Sequence, residues 1–258
     1  MADKPVHWVR FAVGDSVGFG TLEADSIRVY EGTLFNDARP TDRLLSLSTV
    51  RLLMPVEPTK IIALWNNFHA LGDKLGLPVP DEPLYLIKSP NSYLEPGGVI
   101  RNPSGGGKVV FEGELGIVIG KTCQMVAEPK ALNYVFGYTC ANDVTRADIL
   151  NRDASFAQWA RAKGFDTFCP FGPSVTTGLD PATLVVKTIL DGDVRQDYPI
   201  SDMRFSVQQL VSLISQDMTL HPGDIILCGT SVGVGSMKPG STIAVEIAGI
   251  GKLSNRFE

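Results

Sequence analysis

Short runs of apolar and β-branched residues, separated by turns rich in glycine and proline, are the feature that most constrains the fold of this chain. The 258 residues include 26 glycines and 17 prolines, and runs of about four to eight residues between such turns are typical of β-strands. The runs do not alternate regularly with helical stretches, which disfavours a doubly wound parallel sheet. We therefore predict a β-rich α+β fold, with strands at residues 60–65, 83–88, 108–120, 134–143, 183–191, 224–230 and 242–247.

The first part of the chain has the pattern of a small separate module. Strand-like runs occupy residues 7–13, 17–24 and 26–32, and residues 42–53 have the apolar spacing of a helix. Two prolines follow at positions 55 and 58, and proline restricts both its own backbone and that of the residue before it. We predict a β-rich N-terminal module at 1–56 and a larger domain at 57–258.

Helices are predicted at two places in the larger domain. Residues 205–218 carry apolar side chains at helical spacing, which form one stripe. Residues 149–164 form the second predicted helix, which ends at Gly164. The dipeptide Asp191-Gly192 predicts a hairpin turn between two strands.

The charge of the chain gives no sign of a polyanionic partner. It carries 23 basic and 28 acidic side chains, a net charge of −5, without a run of Lys or Arg, so we expect neither nucleic-acid nor membrane binding. No stretch approaches the roughly 18 apolar residues of a membrane span, and the first residues lack the apolar core of a signal peptide. We expect a cytoplasmic protein whose four cysteines are free, buried thiols.

Several familiar motifs are only partly present. In PSGGGKVV, Lys108 is followed by Val109 rather than by Ser or Thr, so this segment is not a phosphate-binding P-loop. The glycines of GTSVGVG do not have the dinucleotide-binding spacing. The chain also has neither a GxSxG nor an HExxH motif, which argues against serine and zinc hydrolases.

Three acidic residues form the constellation with the clearest chemical meaning. Glu112 and Glu114 lie two positions apart in a predicted strand, so both carboxylates project from one face, roughly 7 Å apart at the backbone. Asp143 ends the next predicted strand. An all-oxygen set suits a hard divalent ion, Mg²⁺ first, with Mn²⁺ or Ca²⁺ possible. On spacing alone, a solvated acidic face paired with Lys108 and Lys121 is the more common arrangement.

Several motifs in one order resolve that choice. The strings FEGELGIVIGK, GYTCANDVT, KGFDTFCPFGP, PGDIILCGT and VGVGSMKPG closely resemble the catalytic domain of the fumarylacetoacetate hydrolase family, over residues 60–258. The resemblance implies a mixed β-sandwich roll that forms a homodimer. It also implies that Glu112, Glu114 and Asp143 bind Mg²⁺ or Mn²⁺, and that residues 57–258 are the catalytic domain.

The same resemblance implies roles for residues around the ion. Lys88 matches a lysine of the family's K-P-x-S segment that faces the active site, and Lys163 matches the lysine of K-x-F-D-T. A buried ammonium there can hold a substrate carboxylate or polarise a carbonyl, although a lysine at the end of a helix or strand is also a common cap. Thr230 matches a substrate-binding threonine, with Ser231 in place of the usual proline. Arg146 is displaced by one position from the family's arginine, which leaves its reach to a substrate carboxylate open.

A histidine and its acidic partner are the least regular part of the resemblance. The segment NNFHALGDK resembles the family's N-Y-x-x-H-A-x-E, in which a short helix carries a His–Glu dyad. Gly72 stands where that glutamate is expected. Asp73, four residues after His69, can reach the imidazole on one helical face. We therefore predict His69, Asp73 and Lys163 as catalytic residues.

These residues predict chemistry on a small 2-oxo acid. A divalent ion with open positions can chelate such an acid and stabilise an enolate. The family resemblance favours hydrolysis of a C–C bond in a 2,4-dioxo acid of the acylpyruvate or fumarylpyruvate type. Because the dyad is altered, decarboxylation or keto–enol isomerisation of a 2-oxo or 2-hydroxymuconate-type acid is the main alternative. A metal-dependent carboxylic-acid binder without catalysis is the alternative from another class.

Overall fold

The computed structural model describes residues 4–258. Within this range the chain forms twenty β-strands and four α-helices. The helices are α1 (His69–Leu75), α2 (Ala147–Leu150), α3 (Trp159–Lys163) and α4 (Val207–Asp217). The strands are β1 (Val6–Val13), β2 (Ser16–Glu23), β3 (Ser26–Glu31), β4 (Arg39–Ser46), β5 (Arg51–Leu52), β6 (Ile61–Trp65), β7 (Leu84–Lys88), β8 (Tyr93–Leu94), β9 (Val99–Ile100), β10 (Val109–Phe111), β11 (Gly113–Ile119), β12 (Val135–Asn142), β13 (Thr145–Arg146), β14 (Cys169–Thr177), β15 (Val185–Leu190), β16 (Asp193–Pro199), β17 (Ile225–Leu227), β18 (Gly235–Ser236), β19 (Thr242–Ile247) and β20 (Gly251–Phe257).

The strands form three sheets. The large sheet has the order β4-β3-β2-β1-β14-β12-β11-β17-β6-β7, with β5 paired to β1 and β8 to β14. A second sheet has the order β16-β15-β19-β20-β9, and a small third sheet has the order β13-β10-β18. The largest apolar cluster joins side chains of β11 in the large sheet to side chains of β15, β19 and α4. This packing of two sheets and one helix confirms the predicted β-rich α+β sandwich roll.

The N-terminal strands extend the large sheet. Strand β1 pairs antiparallel with β14, and β2, β3 and β4 follow outward from it. The helix predicted at residues 42–53 is wrong, because this segment forms most of β4, a 3-10 turn and β5. Leu45 packs towards the local apolar cluster, whereas its neighbour Leu44 is exposed. The side chains therefore alternate as in a strand, and pairing with β3 satisfies the backbone.

One of the two predicted helices is confirmed. Helix α4 begins with a capping box formed by Ser206 and Gln209, and its apolar stripe is buried. The helix predicted at 149–164 is largely wrong, because only its two ends are helical, in α2 and α3. Between them, the Asp153 carboxylate accepts hydrogen bonds from the backbone and hydroxyl of Ser155. Such a local turn competes with helical hydrogen bonding.

Two strand predictions also require correction. Residues 108–120 are not one strand, since β10 joins the small sheet and β11 the large sheet, with Glu112 between them. Strand β14 lies in the middle of the large sheet although it contains Pro170 and Pro173, residues that normally argue against a central strand. The hairpin at Asp191-Gly192 is confirmed, because it joins β15 to β16.

Candidate active site

The three predicted acidic residues meet at one point of the fold. Strands β11 and β12 pair antiparallel with Gly113 opposite Asn142, so the residues flanking that pair, Glu112 and Asp143, become neighbours. The Asp143 backbone N–H donates to the Glu112 carbonyl at 2.9 Å. One carboxylate oxygen from each of Glu112, Glu114 and Asp143 lies within 4.8 Å of the others. The break between β10 and β11 therefore creates an acidic cluster.

Glu114 is the member of the cluster that most requires a cation. Its side chain is buried; Oε2 accepts a hydrogen bond from the Gly229 backbone at 2.8 Å, and the buried Oε1 has no hydrogen-bond partner among the described residues. Burial, followed by the negative charges of Asp143 and Glu112, raises the pKa of Glu114 well above its usual value. An unpaired buried oxygen among three carboxylates fits a divalent metal site.

Lys163 supplies part of the compensating charge. Its ammonium donates to Glu112 Oε2 at 3.0 Å, to Asp143 Oδ2 at 2.6 Å and to the Thr145 hydroxyl at 2.7 Å. Burial opposes the charged form, but the charges of Asp143 and Glu112 outweigh it and raise the pKa of Lys163. The lysine therefore remains protonated beside the acidic cluster, and its catalytic role stays a prediction.

Lys88 lies behind Asp143 and is fully buried. Its ammonium is 2.7 Å from Asp143 Oδ1 and donates to the carbonyls of Phe168, at 3.0 Å, and Lys163. It also donates to the Val144 carbonyl at 3.5 Å, so all of its hydrogen bonds are to backbone oxygens, whereas the sequence resemblance implies contact with substrate. Burial raises the pKa of Asp143, but the charges of Lys163 and Lys88 lower it overall. We conclude that Lys88 holds Asp143 ionised and in place.

Thr230 is positioned by a residue that the sequence did not single out. The Thr230 hydroxyl donates to the Gly113 carbonyl at 3.0 Å and accepts from Gln196 Nε2 at 2.8 Å. Gln196 Oε1 in turn accepts from the Gly113 backbone N–H at 3.0 Å. Gln196 is buried in β16 and ties the loop of Thr230 to the residue between the two glutamates. The Asp191-Gly192 turn indicated a second hairpin strand, but nothing in the sequence placed one of its side chains at the site.

A cavity of about 350 Å³ opens beside the acidic cluster. Glu112, Thr145 and Thr230 line it next to the cluster. The rest of the lining is mainly apolar and comes from α1, α2, α3 and the strands β6, β10 and β18 with the loop before β18. Two exposed lysines, Lys74 and Lys108, complete it. Of the three acids, Glu112 lines this cavity, so a small ligand with both a polar and an apolar part can approach the cluster from the side of Glu112.

Helix α1 forms one wall of this cavity, but its predicted dyad is not assembled. His69 is exposed at the start of the helix. The side chain of Asp73 is 77% exposed and has its Oδ1 4.0 Å from Nη2 of Arg204. Among the described residues, no hydrogen bond joins His69 to Asp73. The buried Gly72 packs against the Arg204 guanidinium. Catalytic roles for His69 and Asp73 stay predictions.

Arg146 is directed at a neighbouring acid. Its Nε donates to Asp148 Oδ1 at 3.1 Å, and its guanidinium carbon lies 5.8 Å from the centre of the Phe165 ring. The backbone of Arg146 belongs to β13 and is paired with Val109 of β10. In this arrangement its polar contact is with Asp148, and substrate binding by Arg146 stays a prediction.

Comparison with known proteins identifies the class to which this fold and site belong. Residues 60–258 match the family model described as fumarylacetoacetate (FAA) hydrolase C-terminal, and residues 6–55 match the model described as Rv2993c-like, N-terminal. The chain belongs to the fumarylacetoacetate hydrolase family. It is an enzyme of this family. The family members that are similar to this chain include isomerases, tautomerases and hydrolases.

Three of these similar proteins bear on the chemistry. "Oxaloacetate tautomerase FAHD1, mitochondrial" from Arabidopsis thaliana is 39% identical over 198 residues, covering 76% of this chain and 89% of its own. The structure of a 2-hydroxyhepta-2,4-diene-1,7-dioate isomerase from Mycobacterium marinum matches with a TM-score of 0.90 and 37% identity, over 98% of both chains. A fumarylpyruvate hydrolase from Pseudomonas aeruginosa, solved with Mn²⁺ and pyruvate, matches with a TM-score of 0.73 and 27% identity, over 84% of this chain and 92% of the other.

Among residues 4–258, no helix combines the length and the apolar character needed to cross a membrane.

Proposed function

We propose that this chain catalyses the enolisation of a 2-oxo acid, either as keto–enol tautomerisation or as movement of a double bond next to a 2-hydroxy group. The observation that carries this proposal is the Lys163 ammonium, which donates to both Glu112 and Asp143, beside a cavity of about 350 Å³ that Glu112 lines. The names of the isomerase and the tautomerase described above support the same reaction class.

The metal site proposed for this reaction consists of Glu112, Glu114 and Asp143. Mg²⁺ or Mn²⁺ fits three carboxylates best, and Ca²⁺ is also compatible with them. When bound, such an ion would receive the carboxylate and 2-oxo oxygens of the acid and make the adjacent C–H group more acidic. The Mn²⁺ bound by the fumarylpyruvate hydrolase relative supports this assignment.

The residues of the chain supply electrostatic stabilisation and order. Lys163 donates to Glu112, Asp143 and the Thr145 hydroxyl, so its proposed role is electrostatic: its positive charge beside the acidic cluster offsets part of the negative charge that develops on an enol form. Lys88 keeps Asp143 charged and fixed. Gln196 fixes the loop that carries Thr230 at the cavity wall. These contacts preorganise the site before substrate enters.

The surroundings of helix α1 favour enolisation over hydrolysis. Hydrolysis of a 2,4-dioxo acid requires an activated water, and therefore a base oriented by a partner. Asp73 is directed towards Arg204 instead of His69, and Gly72 has no side chain to replace it. Tautomerisation also needs a base that takes a proton from carbon and an acid that returns one at another atom, but it adds no water to the substrate and so requires no oriented water nucleophile. Hydrolysis is the second candidate, supported by the fumarylpyruvate hydrolase relative and by the place of α1 on the cavity wall.

The experiment compares three substrates with the purified full chain, with Mg²⁺ or Mn²⁺ and with EDTA. The conversion of enol-oxaloacetate and of a 2-hydroxydienoate is followed by ultraviolet absorbance, and acetylpyruvate cleavage is followed by pyruvate release. We expect metal-dependent conversion of the first two and slow cleavage of the third. Rapid release of pyruvate would favour the hydrolase, loss of CO₂ from oxaloacetate would favour a decarboxylase, and binding without turnover would favour a carboxylic-acid binder.

A matched pair of variants separates the proposed site from general effects of charge. Glu114→Gln removes one proposed metal ligand, and Glu128→Gln makes the same change at an exposed position of another element. We expect the first variant to lose the metal-dependent activity and the second to retain it. Full activity of Glu114→Gln would contradict the proposal.

A further inference from the structure

Two indole rings lie together on the wall of the proposed active-site cavity. Trp65, at the end of β6, and Trp159, at the start of α3, both line it, and their ring centres are 4.9 Å apart with an interplanar angle of 48°. Both residues are only half-buried. Trp159 reaches this position because the segment before it is not helical, so the sequence alone did not place it.

The apolar wall continues around the two rings. Leu71 and Leu75 from α1, Leu150 from α2 and Val110 from β10 line the same cavity. Leu75 is 50% exposed. Apolar area that is open to water on a cavity wall gains free energy when a ligand covers it. A flat ligand gains more binding free energy from contact with tryptophan than other ligands do, because offset or tilted ring contacts add to the energy of burial.

This wall and the acidic cluster belong to one cavity. The carboxylate of Glu112 and the hydroxyl groups of Thr145 and Thr230 line the end that the acid head would occupy. A ligand with its 2-oxo acid group at that end would extend the rest of its carbon chain along the indole rings. A second carboxylate would lose hydration wherever it faced these apolar side chains, which is costly, and in the part of the chain that the structure describes only Lys74 and Lys108 offer it a cationic partner on the wall.

We propose that Trp65 and Trp159 form a specificity subsite for a flat, apolar substituent, so that the substrate is a 2-oxo or 2-hydroxydienoic acid with an aryl or extended unsaturated group at its far end. This inference rests on the proposed function, because that function places the acid head at the carboxylate cluster. It goes further by distinguishing such substrates from small dicarboxylic acids such as oxaloacetate.

Binding of stable analogues tests the subsite without turnover. Oxamate carries the acid head alone, N-phenyloxamate adds a flat apolar ring, and N-oxalylglycine adds a second carboxylate. Dissociation constants are measured by calorimetry with saturating Mn²⁺. We expect N-phenyloxamate to bind about tenfold more tightly than oxamate, which corresponds to about 1.4 kcal/mol, and more tightly than N-oxalylglycine.

Variants connect this preference to the two rings. Trp159→Ala and Trp65→Ala should reduce the preference for the phenyl compound to less than about threefold while leaving the affinity for oxamate unchanged, and Trp159→Phe should restore part of it. Phe156→Ala is the matched control, because Phe156 lies three residues before Trp159, is 68% exposed and does not line the cavity. The control should retain the full preference. Thermal unfolding of each variant verifies that it is folded.

The possible failures can be distinguished. Equal binding of oxamate and N-phenyloxamate, or a preference unchanged in both tryptophan variants, would overturn the subsite and leave the proposed function standing. Tighter binding of N-oxalylglycine that is lost in Lys74→Met would also overturn it, in favour of a dicarboxylate that reaches the exposed lysine. Oxamate binding that needs neither Mn²⁺ nor Glu114 would instead contradict the proposed function.

Discussion

The guanidinium group of Arg204 occupies the space into which a side chain at position 72 would extend. An ideal β-carbon built on Gly72 overlaps Nη2 of Arg204 and lies 2.8 Å from Oδ1 of Asn66. Arg204 is almost fully buried, its Nη1 donates to the Pro78 carbonyl at 2.9 Å, and its Nε and Nη2 have no hydrogen-bond partner among the described residues. The glycine and the arginine are thus two parts of one arrangement at the position where the sequence resemblance places the glutamate of the family's dyad.

This relationship predicts energetic coupling between the two positions. Gly72→Ala introduces a methyl group against a buried guanidinium, and overpacking of this kind typically costs about 1–3 kcal/mol, offset by up to about 1 kcal/mol of helix propensity. In an Arg204→Ala background the methyl group meets only Oδ1 of Asn66, the end of a side chain that can shift, so the same substitution should cost much less stability. Urea unfolding of the four proteins of this double-mutant cycle measures the coupling. Additive effects of the two substitutions would contradict the arrangement.

The unpaired oxygen of Glu114 predicts that Glu114→Gln affects protein stability differently with and without bound metal. Glu114→Gln removes a buried charge next to Asp143 and Glu112, so without metal the variant should be at least as stable as the wild type. Mn²⁺ at a concentration of about 100 times its dissociation constant stabilises the folded state through its binding free energy. This stabilisation should raise the wild-type melting temperature by roughly 5–10 °C. The variant should show little of this increase.

Differential scanning fluorimetry with EDTA and with increasing Mn²⁺ makes this measurement. Glu128→Gln, at an exposed position, is the control and should respond as the wild type does. An equal metal response in Glu114→Gln would mean that the ion binds elsewhere.

Lys88 predicts a loss of stability without a direct effect on substrate binding. Lys88→Met keeps much of the side-chain volume but removes the ammonium from Asp143, and breaking a buried ion pair by removing one partner costs about 3–5 kcal/mol. Denaturant unfolding should show this loss. Lys74→Met, at an exposed position on the cavity wall, should change stability by less than about 0.5 kcal/mol. A stable Lys88→Met protein with weaker substrate binding would restore the role that the sequence resemblance implied.

The sequence predicted the site better than it predicted the segments around it. Glu112, Glu114 and Asp143 were identified from the order of motifs along the chain, although the predicted strand through Glu112 is broken there, and the pairing of β11 with β12 brings the three residues together. Gln196 was missed because its role depends on a contact with Gly113, 83 positions away in the sequence. The contacts of Lys88 could not be derived from the sequence for the same reason, since its partners come from three separate segments, and its predicted contact with substrate stays a prediction.

The errors in secondary structure also have physical causes. Leucine spacing at 42–53 is compatible with a helix, and only pairing with β3 decides for a strand. Central strand β14 contains two prolines, so its sequence carries the signal of a loop. In both segments tertiary contacts outweigh local propensity.

Asp224 predicts how the stability of the fold depends on pH. It is fully buried and accepts hydrogen bonds from the Thr59 hydroxyl at 2.7 Å and the His221 backbone at 2.8 Å, and it pairs with the ammonium of Lys60. Burial raises the pKa of Asp224, but the hydrogen bonds from Lys60 and Thr59 outweigh it, so the pKa is lowered from its usual value of 3.8. A group whose pKa is lower in the folded state stabilises the protein above its unfolded pKa, and this contribution is lost as the pH falls through the folded pKa.

Asp224→Asn should therefore lower the free energy of unfolding by about 1.5–3 kcal/mol at pH 7, and the difference from the wild type should shrink progressively below about pH 4. Urea unfolding of both proteins from pH 7 down to pH 3 tests this prediction, with Asp197→Asn as the exposed control. If the difference in the free energy of unfolding between wild type and Asp224→Asn stayed constant over that range, the ionised form of Asp224 would not be what stabilises the pairing of β6 with β17.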